Sequence, residues 1–502
     1  MLFNSYIFIF IFLPLTLLGY FLLNHFERYN LAKIFLIGMS LLFYGYFKVY
    51  YLLIIVSSVV VNYLFSFILS KFEEKYSYIG VNIRRLFLII GVILNLGLLI
   101  HFKYLDFIIE NLNALGTDFR IRNIILPLGI SFFSFQQLSY VVDRATGKAK
   151  HYNIIDYAAF VTFFPQLVAG PIVMYDSLIP QFEDESNKSF DSDNFSQGIC
   201  RFTLGLAKKV LLADVLANIV NFGYDQILFM DSVSSLLVSF AFTLQLYFDF
   251  SGYSDMALGL GKMFNIELPQ NFDSPYKACS MKELWQRWHI TLSGFFLRYV
   301  YIPMGGSRKG KVRTQINVFV VFLLSGIWHG ANWTFVVWGI LQGIAVIYDN
   351  LGLIGVEVPF HKINYRLRIP HWLGVVFTFL YYNFTCIFFR SESISQANQM
   401  IKNIFSFKYT GYFPKLAESF SLSELYPVSK LIDMKFQSFN SVFNIIVILL
   451  FMLVCFFILS RRNTQQICED SLTKSRAFGT AFLFVWCIIS FSMVSTFIYF
   501  NF

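Results

Sequence analysis

The sequence predicts an all-α, polytopic membrane protein. Three observations carry that reading: apolar runs recur from one end of the chain to the other, charged residues make up only 14% of the total, and the basic ones gather in the short stretches between runs. Of 502 residues, 57% are hydrophobic and 20% aromatic. Many of the runs approach the roughly 20 residues that a helix needs to cross a bilayer.

The first run, 6–23, has no basic residues ahead of it and no small-residue cleavage pattern after it, so it reads as a retained spanning helix and not as a secretory signal. Further spans are expected at 31–47, 51–69, 86–102, 124–142, 157–173, 199–222 and 235–260, then at 316–333, 335–349, 372–389, 445–459 and 477–500. The count is roughly a dozen, the shorter segments being tilted or re-entrant.

Lys and Arg in short loops set orientation. One alternating scheme sends to the cytosol Arg28 with Lys33, the group Lys71, Lys75, Arg84 and Arg85, and the group Arg144, Lys148 and Lys150. It does the same for Arg308, Lys309, Lys311 and Arg313, for Arg366 and Arg368, and for Arg461 and Arg462, and it leaves the N-terminus outside. The polar stretch 390–440 is then extracytoplasmic, with a short surface helix at 395–405, while the acidic loop 176–193 stays unassigned because acidic residues orient weakly. The chain reads as a single integral-membrane domain, 1–502, with N-terminal helices to 150, a core at 151–350 and C-terminal helices from 351.

The net charge of +9 is dispersed over the cytosolic loops, so it reports topology and not nucleic-acid binding. The denser turn holding Arg308 and Lys309 also suits anionic membrane lipids or a phosphorylated cofactor. Six cysteines form no C-x-x-C pair or metal-type spacing, and no metal site is expected. Neither a phosphate-binding G-x-x-x-x-G-K-[ST] loop nor a G-x-S-x-G elbow occurs, which counts against an ATP-driven pump and a conventional serine hydrolase.

The densest chemistry lies at 281–333, where two histidines each follow a tryptophan. Drawn as a helix, Trp285, Trp288, His289 and Leu292 share one face, and Glu283 pairs with Arg287 at i, i+4. Farther on, Ser325, Trp328, His329 and Asn332 form a stripe, and Gly326 and Gly330 are spaced to admit a neighbouring helix. His329 is thus a titratable base at membrane depth, where ionisable groups are costly unless partnered or functional. Its bland alternative is an interfacial cap with Trp328 as anchor; for His289 it is a histidine closing an interfacial helix.

A second polar island, YFDFSGYSDMALGLG, embeds Asp249 and Asp255 about 120° apart round a helix. Each needs a cation, a backbone donor or a histidine. They either orient a catalytic imidazole or lock helices together. After it, Pro269, Asn271, Phe272 and Pro275 predict a bent passage. In a third patch Pro165, Gly170 and Pro171 break a helix beside a buried Gln166.

An imidazole at membrane depth, a second nearer the cytosol and a basic cytosolic turn suit acyl transfer. A hydroxyl attacking a thioester needs a base of near-neutral pKa, and His329 is the candidate. The oxygen that becomes anionic needs fixed donors, such as an indole N–H, Asn332 or His289.

At these residues the sequence resembles the membrane-bound O-acyltransferases, in their bacterial AlgI- and PatA-like branch and more distantly DltB. The motifs are LVAGPIV (167–173), YFDFSGYSDMALGLG (247–261), NFDSPY (271–276), WQRWHITLS (285–293), SGIWHGANW (325–333) and FFRSESISQA (388–397). The resemblance spans nearly the whole chain. It implies an MBOAT-like ring of helices with a thin centre, where a cytosolic tunnel meets an outer funnel near the histidines. It also implies catalysis by His329 with His289 lining the passage; Trp285, Arg287, Trp288, Ser325, Trp328, Asn332, Asp249, Asp255 and Asn271 are the tunnel or supporting residues expected from the sequence. Chain length and the FFRSES segment favour acetyl-CoA as donor over carrier-bound D-alanine. The resemblance further implies a polysaccharide acceptor such as alginate-like exopolysaccharide or peptidoglycan, a separate extracytoplasmic SGNH-type partner, and a place in the bacterial inner membrane. Two other readings stand beside it: a transporter using the Asp249 and Asp255 patches, and a scaffold in which the histidines only pack.

Overall fold

The computed structural model describes residues 1–75, 81–356, 366–420, 440–470 and 473–493, together with 422, 424, 430, 497 and 498. Parts of the expected 390–440 loop and the end of the expected span 477–500 lie outside them. Helices dominate the described residues; the strands there are a two-residue parallel pair, Ile354–Gly355 with Leu367–Arg368. Seven described helices are long and apolar enough to cross a membrane: Phe8–His25, Tyr50–Glu73, Asn82–Ala114, Ser232–Met263, Trp333–Leu351, His371–Arg390 and Ser441–Ser460. The chain is therefore a multi-pass membrane protein.

Most of the remaining expected spans are helical but shorter or more polar, among them Tyr29–Gly45, Ile130–Ala145, Lys311–His329 and Lys474–Ile489. One is not a crossing. The stretch 157–173 breaks into a helix ending at Thr162, a single turn Phe164–Leu167 and a non-helical run to the helix Tyr175–Glu183. Pro165 opens that single turn, and Gln166, fully buried, donates from Nε2 to the Phe160 carbonyl at 2.7 Å.

By internal contacts the chain divides into two compact units, Met1–Phe202 with Ser254–Gln270, and Thr203–Tyr253 with Asn271–Phe502. The first packs around an aromatic cluster in which Phe8, Phe12, Phe43 and Phe164 lie 5.3 to 6.1 Å apart by ring centroids. Several of its buried polar groups pair with one another, as burial away from water favours. Asn62, Asn95 and Gln137 share amide hydrogen bonds, Ser66 links Tyr140 to His151, and Lys33 meets Asp156.

In the second unit the helices Lys311–His329 and Trp333–Leu351 form a tight hairpin. A Cβ on Gly326 would sit 2.4 Å from the Phe335 carbonyl oxygen and 2.9 Å from the Gly339 Cα, so the close approach expected at this glycine is present and requires it. His371–Arg390 joins the hairpin through Tyr381 Oη, which donates to the Leu341 carbonyl at 2.7 Å. A surface helix follows at Ile394–Phe405, capped by Ser393, close to the expected 395–405.

Candidate active site

Both histidines sit where a helix stops. The helix Met281–Arg287 begins at Ser280, whose hydroxyl accepts from the Glu283 N–H, and Glu283 pairs with Arg287 at 2.8 Å as the spacing predicts. Burial raises the Glu283 carboxyl, but the Cys279 N–H and Arg287 outweigh it and hold that group below its ordinary range.

The helix does not continue through His289. Trp288 is extended and His289 is left-handed, with φ 46° and ψ 51°, before a new helix runs Ile290–Phe296. This overturns the expected single face of Trp285, Trp288, His289 and Leu292. The cause is non-local: the bent 271–273 segment pairs antiparallel with 287–290, through the Phe272–Trp288 bridge and the bonds Asp273 N–H to Arg287 O and Ile290 N–H to Asn271 O. A left-handed backbone at a non-glycine residue costs on the order of 1–3 kcal/mol and persists only where its surroundings enforce it.

Asn271 fixes the His289 ring. Its Oδ1 accepts from Thr291 Oγ1 at 2.8 Å and from the Thr291 N–H at 3.3 Å, and it lies 3.2 Å from His289 Nδ1. An oxygen already accepting twice makes Nδ1 the donor, so in the neutral ring the lone pair belongs to Nε2. Phe250 packs edge-on at 4.8 Å and Trp328 lies 5.9 Å away.

His329 is the last residue of Lys311–His329 and is 2% exposed. Its ring lies among Trp328 and Trp338, both at 5.0 Å, and Phe389 at 5.2 Å. The carbonyl end of the helix places partial negative charge beside it. The two imidazoles are 6.4 Å apart by centroid.

Of the other expected residues, Trp285 and Trp288 belong to this cluster. Trp285 packs edge-on against Trp338 at 5.6 Å and donates from Nε1 to Oε1 of Gln342, whose Nε2 is in turn tied to Thr385. Trp288 is enclosed by Phe272, Tyr276 and Tyr382. Arg287 faces Glu283 and the Asp273 carbonyl. Ser325 lines a separate cavity of about 200 Å³ with Trp285, Leu292 and Phe322.

Asn332 departs from the expected stripe, because the helix has ended and Gly330 is extended. Asn332 caps the next helix: Oδ1 accepts from the Thr334 N–H at 3.0 Å and Nδ2 donates to the Glu392 carbonyl at 2.8 Å. Both ends of its amide are thus engaged. Arg308 and Lys309 lie at the far end of the helix that carries His329, and Asp255 belongs to the other unit, beside Arg201 at 3.4 Å.

Asp249, the neighbour of Phe250 in the chain, belongs to a buried charged triad. Lys209 Nζ lies 2.6 Å from Asp249 Oδ1 and 2.7 Å from Asp214 Oδ1, while Asp249 Oδ2 accepts from the Ile498 N–H at 2.7 Å. Sequence reasoning missed Lys209 and Asp214. They sit five apart, and the intervening π-helical turn Lys208–Ala213 is what lets them meet. It also missed Trp338, whose Nε1 is buried with no acceptor among the described residues. The only available signal was a third tryptophan after SGIWHGANW.

The family model described as MBOAT, the membrane-bound O-acyltransferase family, matches residues 9–390, so the C-terminal helices fall outside it although the motifs suggested near-complete coverage. The chain is 38% identical over 431 residues to the peptidoglycan O-acetyltransferase of Helicobacter pylori, covering 80% of each chain. It is 37% identical over 416 residues to a Pseudomonas aeruginosa protein named "Probable alginate O-acetylase AlgI", covering 81% of this chain and 75% of that one. A teichoic acid D-alanyltransferase of Streptococcus thermophilus is more distant, at 27% over 237 residues, covering 45% of this chain and 57% of that one.

Proposed function

The chain belongs to the membrane-bound O-acyltransferase family, and we propose that it moves an acetyl group from a cytosolic thioester, acetyl-CoA, across the bacterial inner membrane for O-acetylation of a cell-surface polysaccharide. The observation that carries this is the pair of buried imidazoles 6.4 Å apart, walled by tryptophans, inside the family-matched region. The relatives named for peptidoglycan and alginate acetylation match at higher identity and over more of the chain than those named for D-alanyl transfer, and they favour acetyl.

In this reading His329 accepts the proton of the attacking hydroxyl as its oxygen bonds to the thioester carbonyl carbon. The tetrahedral intermediate then collapses, the C–S bond breaks, and the proton passes from His329 to the departing sulfur. His289 does not suit the oxyanion, since its one N–H is directed at Asn271; its Nε2 instead accepts a hydrogen bond and holds the acceptor hydroxyl. Asn332 is engaged on both sides. The donor to the oxyanion is the Trp338 N–H, buried beside His329 and lacking an acceptor among the described residues. Arg308 and Lys309 receive the phosphates of the donor at the cytosolic mouth. An extracytoplasmic SGNH-type partner completes transfer to the polymer.

His329→Ala tests the assignment. It should abolish acetyl ester on the exported polymer at unchanged protein level. Normal esterification in that strain rules the assignment out, and solute movement without ester formation would indicate a transporter.

A further inference from the structure

The second unit contains a cavity of about 560 Å³ that the acyl-transfer chemistry does not use. One wall is the segment 204–215 and the others come from the helices Asn440–Ser460 and Lys474–Ile489, which lie beyond the family-matched region. Its length is informative. On Asn440–Ser460 the lining runs from Phe451 to Leu459, about 12 Å at 1.5 Å per residue. That fits within one leaflet, which is half of the roughly 30 Å hydrocarbon core.

The lining changes character along that length. Leu211, Leu212, Val454, Ile458 and Leu483 make the shaft apolar. Val454 is 50% exposed, so the shaft is open on the face that meets the hydrocarbon. At one end Arg461 and Arg462 sit with Asn463, Thr464 and Ser274, and the positive-inside pattern assigns these arginines to the cytosolic side. Asn463 Nδ2 lies 2.8 Å from Asp273 Oδ1 and 3.3 Å from Ser274 Oγ, which fixes the floor there. Arg462 is braced by Asp470 at 2.7 Å, and Arg462 and Arg476 hold that carboxyl down to about 2, so the brace stays ionised at any physiological pH. Arg461 stacks on Phe457 at 4.3 Å, and Lys208 lines the wall over the Tyr247 ring. Glu424, the one carboxylate of the lining among the described residues, accepts from Trp486 Nε1 at 2.9 Å and from Ser490.

We infer that this cavity binds one anionic phospholipid of the cytosolic leaflet, with an acyl chain in the shaft and the phosphate at Arg461 and Arg462. Cations near the membrane surface favour anionic over zwitterionic lipid by about fivefold each. The occupant is a lipid and not the acyl donor, because the apolar shaft runs along the leaflet and a polar donor arm would leave its amides without partners there.

The test uses the full-length protein in detergent, native mass spectrometry, and phosphatidylglycerol and phosphatidylcholine as probes. One phosphatidylglycerol should remain per chain under conditions that strip phosphatidylcholine. Val454→Trp, which fills the shaft, should lose it, and Arg461→Gln should weaken it about fivefold relative to phosphatidylcholine. Leu211→Trp, from the opposite wall, serves if Val454→Trp does not fold. Equal retention of the two lipids, retention unchanged in the filled variants, or displacement of phosphatidylglycerol by coenzyme A would overturn the inference. Acetyl transfer need not be measured, so this outcome is separable from the fate of the catalytic assignment.

Discussion

Trp338→Phe separates catalysis from packing at the proposed site. Trp338 is 1% exposed, and its Nε1 has no acceptor among the described residues. A buried donor without a partner costs on the order of 1–3 kcal/mol, which its removal returns. The smaller ring forfeits packing of about 1–2 kcal/mol, on the scale of one or two buried carbon groups. The opposed effects leave folding stability within about 1 kcal/mol of the parent. Catalysis has no such compensation, because losing one oxyanion donor lowers kcat by about 10²–10³, or roughly 2.7–4 kcal/mol of transition-state stabilisation. The assay is thiol release from acetyl-CoA and ester formation by the full-length protein in liposomes, with the unfolding midpoint taken on the same preparation. Acetyl transfer near the parent rate would refute the donor role, as would a loss of activity matched by an equal loss of folded protein.

Two further substitutions address the supports of the site. Asn271→Ala removes the acceptor that orients His289 and should lower kcat by one to two powers of ten, about the size seen when the support of a functional imidazole is lost; KM should change less, and Asn271→Asp, which keeps the acceptor, should recover part of the loss. Lys209→Met leaves Asp214 and Asp249 buried without their shared cation and should destabilise the protein by about 3–5 kcal/mol, read as a lower denaturation midpoint. Adding Asp214→Asn and Asp249→Asn should restore most of that stability, and failure of the neutral triple variant to do so would show that the triad does more than hold helices together.

The helices and several local pairings were legible in the sequence, because each depends on residues within a turn or two of one another. The Glu283–Arg287 pair and the break around Pro165 are of this kind, and the close approach at Gly326 follows from a local small-residue spacing. What periodicity misplaced was decided by distant residues. His289 leaves the helix because 271–273 pairs with 287–290. Asn332 leaves its stripe because the helix ends at His329, and Lys209 meets Asp214 only through a π-helical turn. A helical wheel reports faces, whereas both imidazoles lie at helix ends.

That placement has a consequence for the donor. The helix that ends at His329 starts at Lys311, directly after Arg308 and Lys309, and its 19 residues span about 28 Å. If the basic turn receives phosphates while His329 activates the hydroxyl, the reacting carbonyl lies nearly a membrane thickness from the charged end of the same molecule. A compact acyl phosphate cannot bridge that distance, and a thioester on a long flexible arm can. On that proposal the helix sets a minimum reach for the donor, with Arg308 and Lys309 just ahead of its first turn and His329 at its last residue. In the proposed reaction the attacking hydroxyl meets the thioester in a buried site, where a hydrogen-bond donor with no water to compete for it acts most strongly.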